Sequence, residues 1–358
     1  MDWTMMTRRR TLACGVAVSL VAAGCGGAPH ATSDGTPPTL ASSGPTSIAS
    51  VPNPFTITAR YSASSLGLKN PRDLAIGPDA NLYVTDATDR VTIVSPGGKV
   101  IGRWGGPGNG LGQFTFVTKD PSDPRDLAAS IAVGPDGKVY VSDSGNDRVE
   151  VFSSDGSFIR QFGSDYMGSG QFLLPYDLAV DSNGDVYVAD LGRKVLEKYS
   201  PTGAFEWAVG SGNGSTDQDL FGEAHLANVD PHGRVLVAVV DSHRIVYIDS
   251  RGHEVDTFDT LGLFKNDWGP CNVTVDTQGF TVVQSCPDAG HPVPGVPSYQ
   301  ATLLFDRTHC LVGAWYASPF FDFGTVRSGP NGEAFAFGAT GHSIVGAILK
   351  VRVVLPGA

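Results

Sequence analysis

A two-strand unit that returns six times fixes most of what this chain can become. Each copy is an apolar alternating run, a turn rich in Gly, Asp, Asn or Pro, and a second alternating run. The clearest copies are DLAIGPDANLYVTD from Asp73, SIAVGPDGKVYVSD from Ser130 and DLAVDSNGDVYVAD from Asp177. Weaker copies start at Leu226, Asn272 and Thr325. Successive starts lie 57, 47, 49, 46 and 53 residues apart by subtraction. Alternation puts Leu74, Ile76, Leu82 and Val84 on sheet faces that pack against a neighbour. Such a period, with two evident strands and room for two more, indicates the blades of a β-propeller. The 45 glycines among 358 residues fit a chain with many tight turns.

The missing strands also repeat. RVTIVSPGGKVIGRWG, RVEVFSSDGSFIRQFG and VLEKYSPTGAFEWAVG follow the first three units, and RIVYIDSRGHEVDTFD follows the fourth. YQATLLFDRTHCLVGAWYA plays this part in the fifth, whereas only ILKVRVVLP remains after the sixth. The absent strand is expected from the other end of the folded region. FTITARYS, Phe55 to Ser62, alternates like a strand and precedes the first unit. The expected fold is all-β: a six-bladed propeller of four-stranded blades, closed by this N-terminal strand. Closure removes an open sheet edge between the first and last blades.

The runs PYDLAVDSNGDVYVADLGRKVLEKYSPTGAFEWAVG and SIAVGPDGKVYVSDSGNDRVEVFSSDGSFIRQFG, with the links GLGQF and GSGQF, resemble NHL repeats. The resemblance extends over about residues 55–355 and is strongest in blades 1 to 3. It implies the propeller fold. It does not select a function, because similar propellers include binding modules, sensor domains, lyases and lactonases.

The N-terminus has a different character. Arg8, Arg9 and Arg10 precede an apolar run from Thr11 to Ala23, the pattern of a secretory signal, and the arginines resemble a twin-arginine signal. Ala22-Ala23-Gly24-Cys25 resembles a lipobox, in which Cys25 receives a lipid and becomes the mature N-terminus. Removal of residues 1–24 takes three Arg and one Asp, and moves the net charge from −11 to −13. Residues 25–54 are Gly, Ala, Pro, Ser and Thr with few large apolar groups, a composition expected to stay a disordered tether. Flexible-chain scaling gives it a span of ~30 Å. The organisation expected is thus a signal at 1–24, a lipidated Cys and tether at 25–54, and the propeller at 55–358. The expected location is the outer face of the cytoplasmic membrane, reached through the lipid anchor alone. Acidity argues against nucleic acid as a partner, since phosphate binding needs clustered Lys and Arg.

Residues repeated in every blade are read as structural. Asp86…Arg90, Asp143…Arg148 and Asp241…Arg244 fit a clip across one loop of each blade. The run Asp181 to Asp185 resembles the start of a calcium loop but lacks its later Glu, and fits a hairpin turn. Departures from the repeat carry more. Insertions at 115–129 and 287–298 both emerge on the face where the innermost strands begin. Long loops over one channel mouth shape binding surfaces. The candidate binding residues are those at the strand starts: Arg72, Asp73, Arg125, Asp126, Tyr176, Asp177, His225, Asn272 and Asp322. No catalytic residue is assigned, with His225 the only candidate base. No metal is assigned, with Asp73 and Asp177 the candidate ligands.

Cys271 and Cys286 lie almost equally far from the turn at 276–279, which makes them cross-strand neighbours and an expected disulfide at the root of the 287–298 loop. Cys310, expected at the other end of that blade, is the odd one left. Two functions compete. The first is a tethered binding or scaffold module with no cofactor, its loop-bearing face turned to a protein, a cell-wall polymer or a small ligand. The second is a lyase or lactone hydrolase with calcium or zinc in the channel. A sensor or envelope assembly factor is a third reading.

Overall fold

The computed structural model describes residues 53–116, 129–163, 170–210, 224–240, 242–261, 263, 269–276, 278–285, 301–316, 326–328, 333–339 and 345–353. The side chains of 224–228, 271, 301, 316, 338, 339 and 345 lie outside that description. The structure is a six-bladed β-propeller: six antiparallel sheets of four strands each. The innermost strands are Pro71–Ile76, Ile131–Val133, Pro175–Val180, Ala224–Val229, Pro270–Val275 and Val326–Ser328, in blades 1 to 6. Each packs against the innermost strands on either side, including blade 6 against blade 1, so the ring is closed. Phe55–Ser62 pairs with Val345–Val353 and is the outermost strand of blade 6. Fourth strands start at hairpin turns, so the chain enters on the face opposite the mouth, with Pro54 against Gly313 of blade 5.

The alternation seen in the sequence becomes the packing between blades. Leu74, Leu82 and Val84 of blade 1 meet Phe335, Phe337 and Ile348 of blade 6. The opposite face, with Tyr83, Val91 and Ile93, meets Val139, Val141 and Phe152 of blade 2. Second strands such as Val139–Asp143 are buried at every residue because a blade lies on both sides of them. The short turns are held by their own Asp. Asp181 accepts from Asn183 N at 2.8 Å and Asp185 N at 2.9 Å, so the calcium-like run is a hairpin turn. At one turn of blade 5, His309 stands in the left-handed region, φ 63, where blades 1 to 4 have Gly98, Gly156, Gly203 and Gly252. Its ring stacks on Phe258 and Tyr247 of blade 4, which offsets the backbone strain with aromatic contact.

The expected clip is realised in full in blade 2. Arg148 pairs with Asp143 at 2.8 Å and Glu150 at 2.9 Å, and donates to the carbonyls of Asn109, Gly110 and Gln113. Glu150 in turn accepts from Gly112 N. Arg148 therefore holds the GLGQF link, and Glu150 is the residue that makes it possible. Blade 1 has Thr92 at the Glu150 position, and there Arg90 is exposed while Asp86 accepts from Lys69 N and Thr88 N. Blade 3 makes the equivalent contact with Arg193 and Glu197. Asp241 lies outside the described residues.

Cys310 is disulfide-bonded to a partner outside the described residues, which corrects its reading as the odd thiol. The expected Cys271–Cys286 pair falls on side chains outside them, as do Cys25, the tether and most of both insertions. No helix among the described residues is long and apolar enough to cross a membrane.

Candidate functional site: the channel mouth

Every innermost strand runs in the same sense, so its first residues ring one mouth of the channel. Blades 1, 3 and 5 each carry a register shift there, at Pro71/Asp73, Pro175/Asp177 and Pro270/Asn272. A bulge inserts one residue and re-aims its side chain. Arg72 and Tyr176 are the inserted residues in blades 1 and 3, and both are half-buried.

Asp73 anchors a belt that crosses four blades. Its carboxylate accepts from Ser130 Oγ at 2.8 Å and Ile131 N at 3.0 Å, both in blade 2. It accepts from Leu74 N at 2.7 Å and from Arg327 Nη2 at 3.2 Å, the latter reaching in from blade 6. Ser130 Oγ also receives Leu178 N of blade 3 at 3.3 Å. To meet a carboxylate already held by blade 2, the Arg327 side chain must run along the channel edge of blade 1. Burial pushes the Asp73 carboxyl above the usual carboxylate range, opposed by Arg327 and aided by the nearby charge of Asp177. These donors fill the roughly four lone-pair directions of a carboxylate. Asp73 is therefore committed to structure, and a metal ion would have to displace its partners.

Elsewhere on the mouth the polar groups are less complete. Among the described residues, Arg72 Nε, Asn272 Oδ1, Arg327 Nη1 and Gln284 Oε1 are buried without a hydrogen-bond partner, as are Ser242 Oγ and His243 Nδ1 of blade 4. Tyr176 is half-buried and its carbonyl accepts from Ser142 Oγ at 3.3 Å. Asp177 is half-buried and close enough to act on Asp73. His225 lies on the innermost strand of blade 4, paired with Ala238, but its side chain is outside the described set. Arg125, Asp126 and Asp322 also lie outside it. The structure thus brings Arg72, Asp73, Tyr176, Asp177 and Asn272 to one rim. Among the described residues no three His, Cys, Asp or Glu side chains form a group suited to a metal ion.

Arg327 was not anticipated. Its signal was present: blades 1 to 3 have Ala75, Ala132 and Ala179 at the same place in the repeat, and a guanidinium there is the largest departure. The expected strand-start residue of that blade, Asp322, lies five residues earlier.

The fold and this mouth define a six-bladed propeller with a polar channel entrance. A family model described as a 6-bladed β-propeller matches residues 131–207, blade 2 and most of blade 3. Peptidyl-glycine alpha-amidating monooxygenase of Mus musculus is 37% identical over 119 residues, 30% of this chain and 11% of that protein. The Rattus norvegicus protein is 35% identical over the same length. The match thus spans about a tenth of these relatives. Among solved structures, a catalytically inactive virginiamycin B lyase from Staphylococcus aureus with quinupristin has a TM-score of 0.52 at 10% identity. That likeness covers 84% of this chain and 100% of the other. A gluconolactonase from Xanthomonas campestris has a TM-score of 0.52 at 16% identity, covering 86% and 97%. At such identities the likeness concerns the fold alone.

Proposed function

We propose that this chain is a binding module, held outside the cytoplasmic membrane by a lipid on Cys25, whose ligand sits at the channel mouth. One observation carries the reading: among the described residues the mouth keeps buried polar groups unpaired while its best-placed carboxylate, Asp73, is saturated by protein donors. Orphaned buried groups are rare in folded proteins and mark places where something else completes the bonding. A saturated carboxylate is a poor metal ligand or base.

The competing reading is a metal-dependent lyase or lactone hydrolase, favoured by the folds it shares with such enzymes. The two separate in one set of assays. The purified full chain, incubated with quinupristin or an aldonolactone, with and without Ca²⁺, Mg²⁺ or Zn²⁺, should give no turnover above buffer. Its metal content by mass spectrometry should stay well below one ion per chain. Turnover that disappears in Asp73→Asn would replace the binding reading with the enzymatic one.

A further inference from the structure

On the face opposite the mouth, four junctions of the ring are fastened in one way. A side chain of one blade donates to the second residue of the next blade's turn between third and fourth strands. Tyr61 Oη donates to the carbonyl of Pro96 at 3.2 Å, and Tyr83 Oη to that of Ser154 at 3.3 Å. Arg160 Nη2 donates to the carbonyl of Pro201, and Trp207 Nε1 to that of Ser250 at 3.0 Å. These contacts join blade 6 to 1, 1 to 2, 2 to 3 and 3 to 4. Phenol, guanidinium and indole donors ordinarily keep their charge from pH 5 to pH 8.

The junction of blades 4 and 5 is built differently. Asp256 stands at the register position of Arg160 and Trp207, and a carboxylate cannot donate to a carbonyl. The turn of blade 5 instead brings His309, with Nε2 3.6 Å from Asp256 Oδ2. The imidazole lies against the rings of Phe258 and Tyr247, centroids 4.6 and 5.4 Å away. Tyr247 Oη in turn meets Thr281 Oγ1 of blade 5 at 3.0 Å. The charged groups around the imidazole are Asp256 and Arg234 of blade 4 and Asp306 of its own turn. Arg234 pairs with Asp230 at 2.7 Å, lies 3.7 Å from Asp256 Oδ2 and sits over the Tyr247 ring at 4.5 Å. Asp256 Oδ2 thus already faces a permanent cation before His309 takes up a proton. Burial holds the imidazole below its ordinary value; Asp256 opposes this, Arg234 adds to it, and Asp306 opposes it. The His309 side chain is 20% exposed, so protons reach it.

We propose that the junction of blades 4 and 5 is a pH-sensitive joint in the ring, loosened when His309 gains a proton between Asp256, Arg234 and the rings of Tyr247 and Phe258. The joint is independent of what the mouth binds. The strand that follows the turn carries Gly313 and Trp315 against Pro54 and Phe55, so the joint adjoins the place where the N-terminal strand docks. Well above the ordinary imidazole value of 6.5, His309 is neutral whether the chain is folded or not, and the joint is at full strength. As pH falls, the unfolded chain takes up the proton first. The joint therefore loses stability as pH drops toward the lower value of the folded state.

Hydrogen exchange of the oxidised full chain between pH 8 and pH 5, read by mass spectrometry and corrected for intrinsic rates, is the test. Opening of segments 254–259 and 305–311, relative to 82–94 of blade 1, should rise about threefold or more on acidification. His309→Asn, whose side chain tolerates the left-handed backbone, should remove that rise. Asp256→Asn should enlarge it, because the lost carboxylate favoured the imidazolium. An NMR titration of the His309 ring, assigned by its absence from His309→Asn, should have its midpoint below 6.5, and lower still in Asp256→Asn. Opening that rises equally in wild type and His309→Asn overturns the proposal, as does a His309 midpoint at or above 6.5. Should His309→Asn fail to fold, Asp256→Asn decides: an unchanged or smaller rise overturns the joint.

Discussion

Blades 1 to 3 and blades 5 and 6 solve the same packing problem with different polar residues. In blades 1 and 2 the repeated positions hold Asp73, Thr85, Ser130 and Ser142, and each reaches a neighbouring blade. In blade 5 the same places in the repeat hold Asn272 and Gln284, and blade 6 has Arg327 where blades 1 to 3 have alanine; each keeps an atom without a partner among the described residues. Asp73, Thr85, Ser130 and Ser142 therefore act as staples between blades, whereas Asn272, Gln284 and Arg327 each carry a buried atom with no partner among the described residues. Arg327 belongs to both groups, which makes it the sharpest place to break the comparison.

Arg327→Met should have the largest effect. It strips Asp73 of its counter-charge inside the channel wall, and removing one partner of a buried pair costs about 3–5 kcal/mol. Chemical unfolding at pH 7 measures it. Asp73 already titrates high through burial, so without Arg327 it takes up a proton more readily still. The folded state then binds a proton that the unfolded state has released, and the deficit should shrink as pH falls toward 5. A deficit that does not change with pH would mean that the pair adds packing rather than charge.

Ser130→Ala should come next. It removes a donor to Asp73 and the acceptor of Leu178 N, which joins blades 2 and 3. Leaving those groups unsatisfied costs about 1–3 kcal/mol. The adjoining blade interfaces keep their apolar cores, so the transition should stay single. A biphasic unfolding curve would show that the belt, and not the apolar contact between blades, couples one blade to the next.

The division between staple and departure also explains what the sequence made legible. The hairpins of blades 1 to 3 could be read because alternation, turn residues and repetition agree. The closing role of Phe55–Ser62 could be read because blade 6 was one strand short. The clip was over-read at Asp86 and Arg90 because the pattern omitted its third member. Arg148 needs Glu150 beside it, and Thr92 cannot replace that carboxylate. At the mouth, Arg72, Asp73, Tyr176, Asp177 and Asn272 lie at the starts of innermost strands, which strand order could give. Their chemistry was not legible, since whether a carboxylate is saturated or an amide orphaned depends on neighbours some 50 to 250 residues away: Ser130 is 57 residues from Asp73, and Arg327 is 254. A repeat fixes positions, whereas partners between blades depend on side-chain length.

A smaller effect comes from the two buried glutamates of the clips. Burial raises Glu150 and Glu197 to about 7 from 4.5, against the pull of Arg148 on the first, and of the Tyr199 hydroxyl and then Arg193 on the second. Below pH 4.5 both are protonated whether the chain is folded or not. Between 4.5 and 7 the unfolded chain releases these protons while the folded chain retains them. Their contribution is thus full at low pH and is lost as pH rises through 7. Unfolding midpoints of wild type should fall by a few degrees relative to Glu150→Gln and Glu197→Gln between pH 5 and pH 8. Parallel pH profiles would mean that the glutamates ionise freely in the fold.

Asn272→Leu should have the smallest effect, and the opposite sign. Asn272 Oδ1 is buried with nothing to accept from among the described residues, so the wild type bears its desolvation without return. An apolar side chain of similar volume removes that cost, and the adjoining Thr274 keeps its contact with Ser328 at 3.4 Å. Stability should rise by up to about 1 kcal/mol, roughly 2 °C in a chain of this size. A position that gains stability when its polar group is deleted serves something other than the fold. If Asn272→Leu instead destabilises as Ser130→Ala does, blade 5 is stapled like blades 1 to 3, and the contrast around the ring disappears.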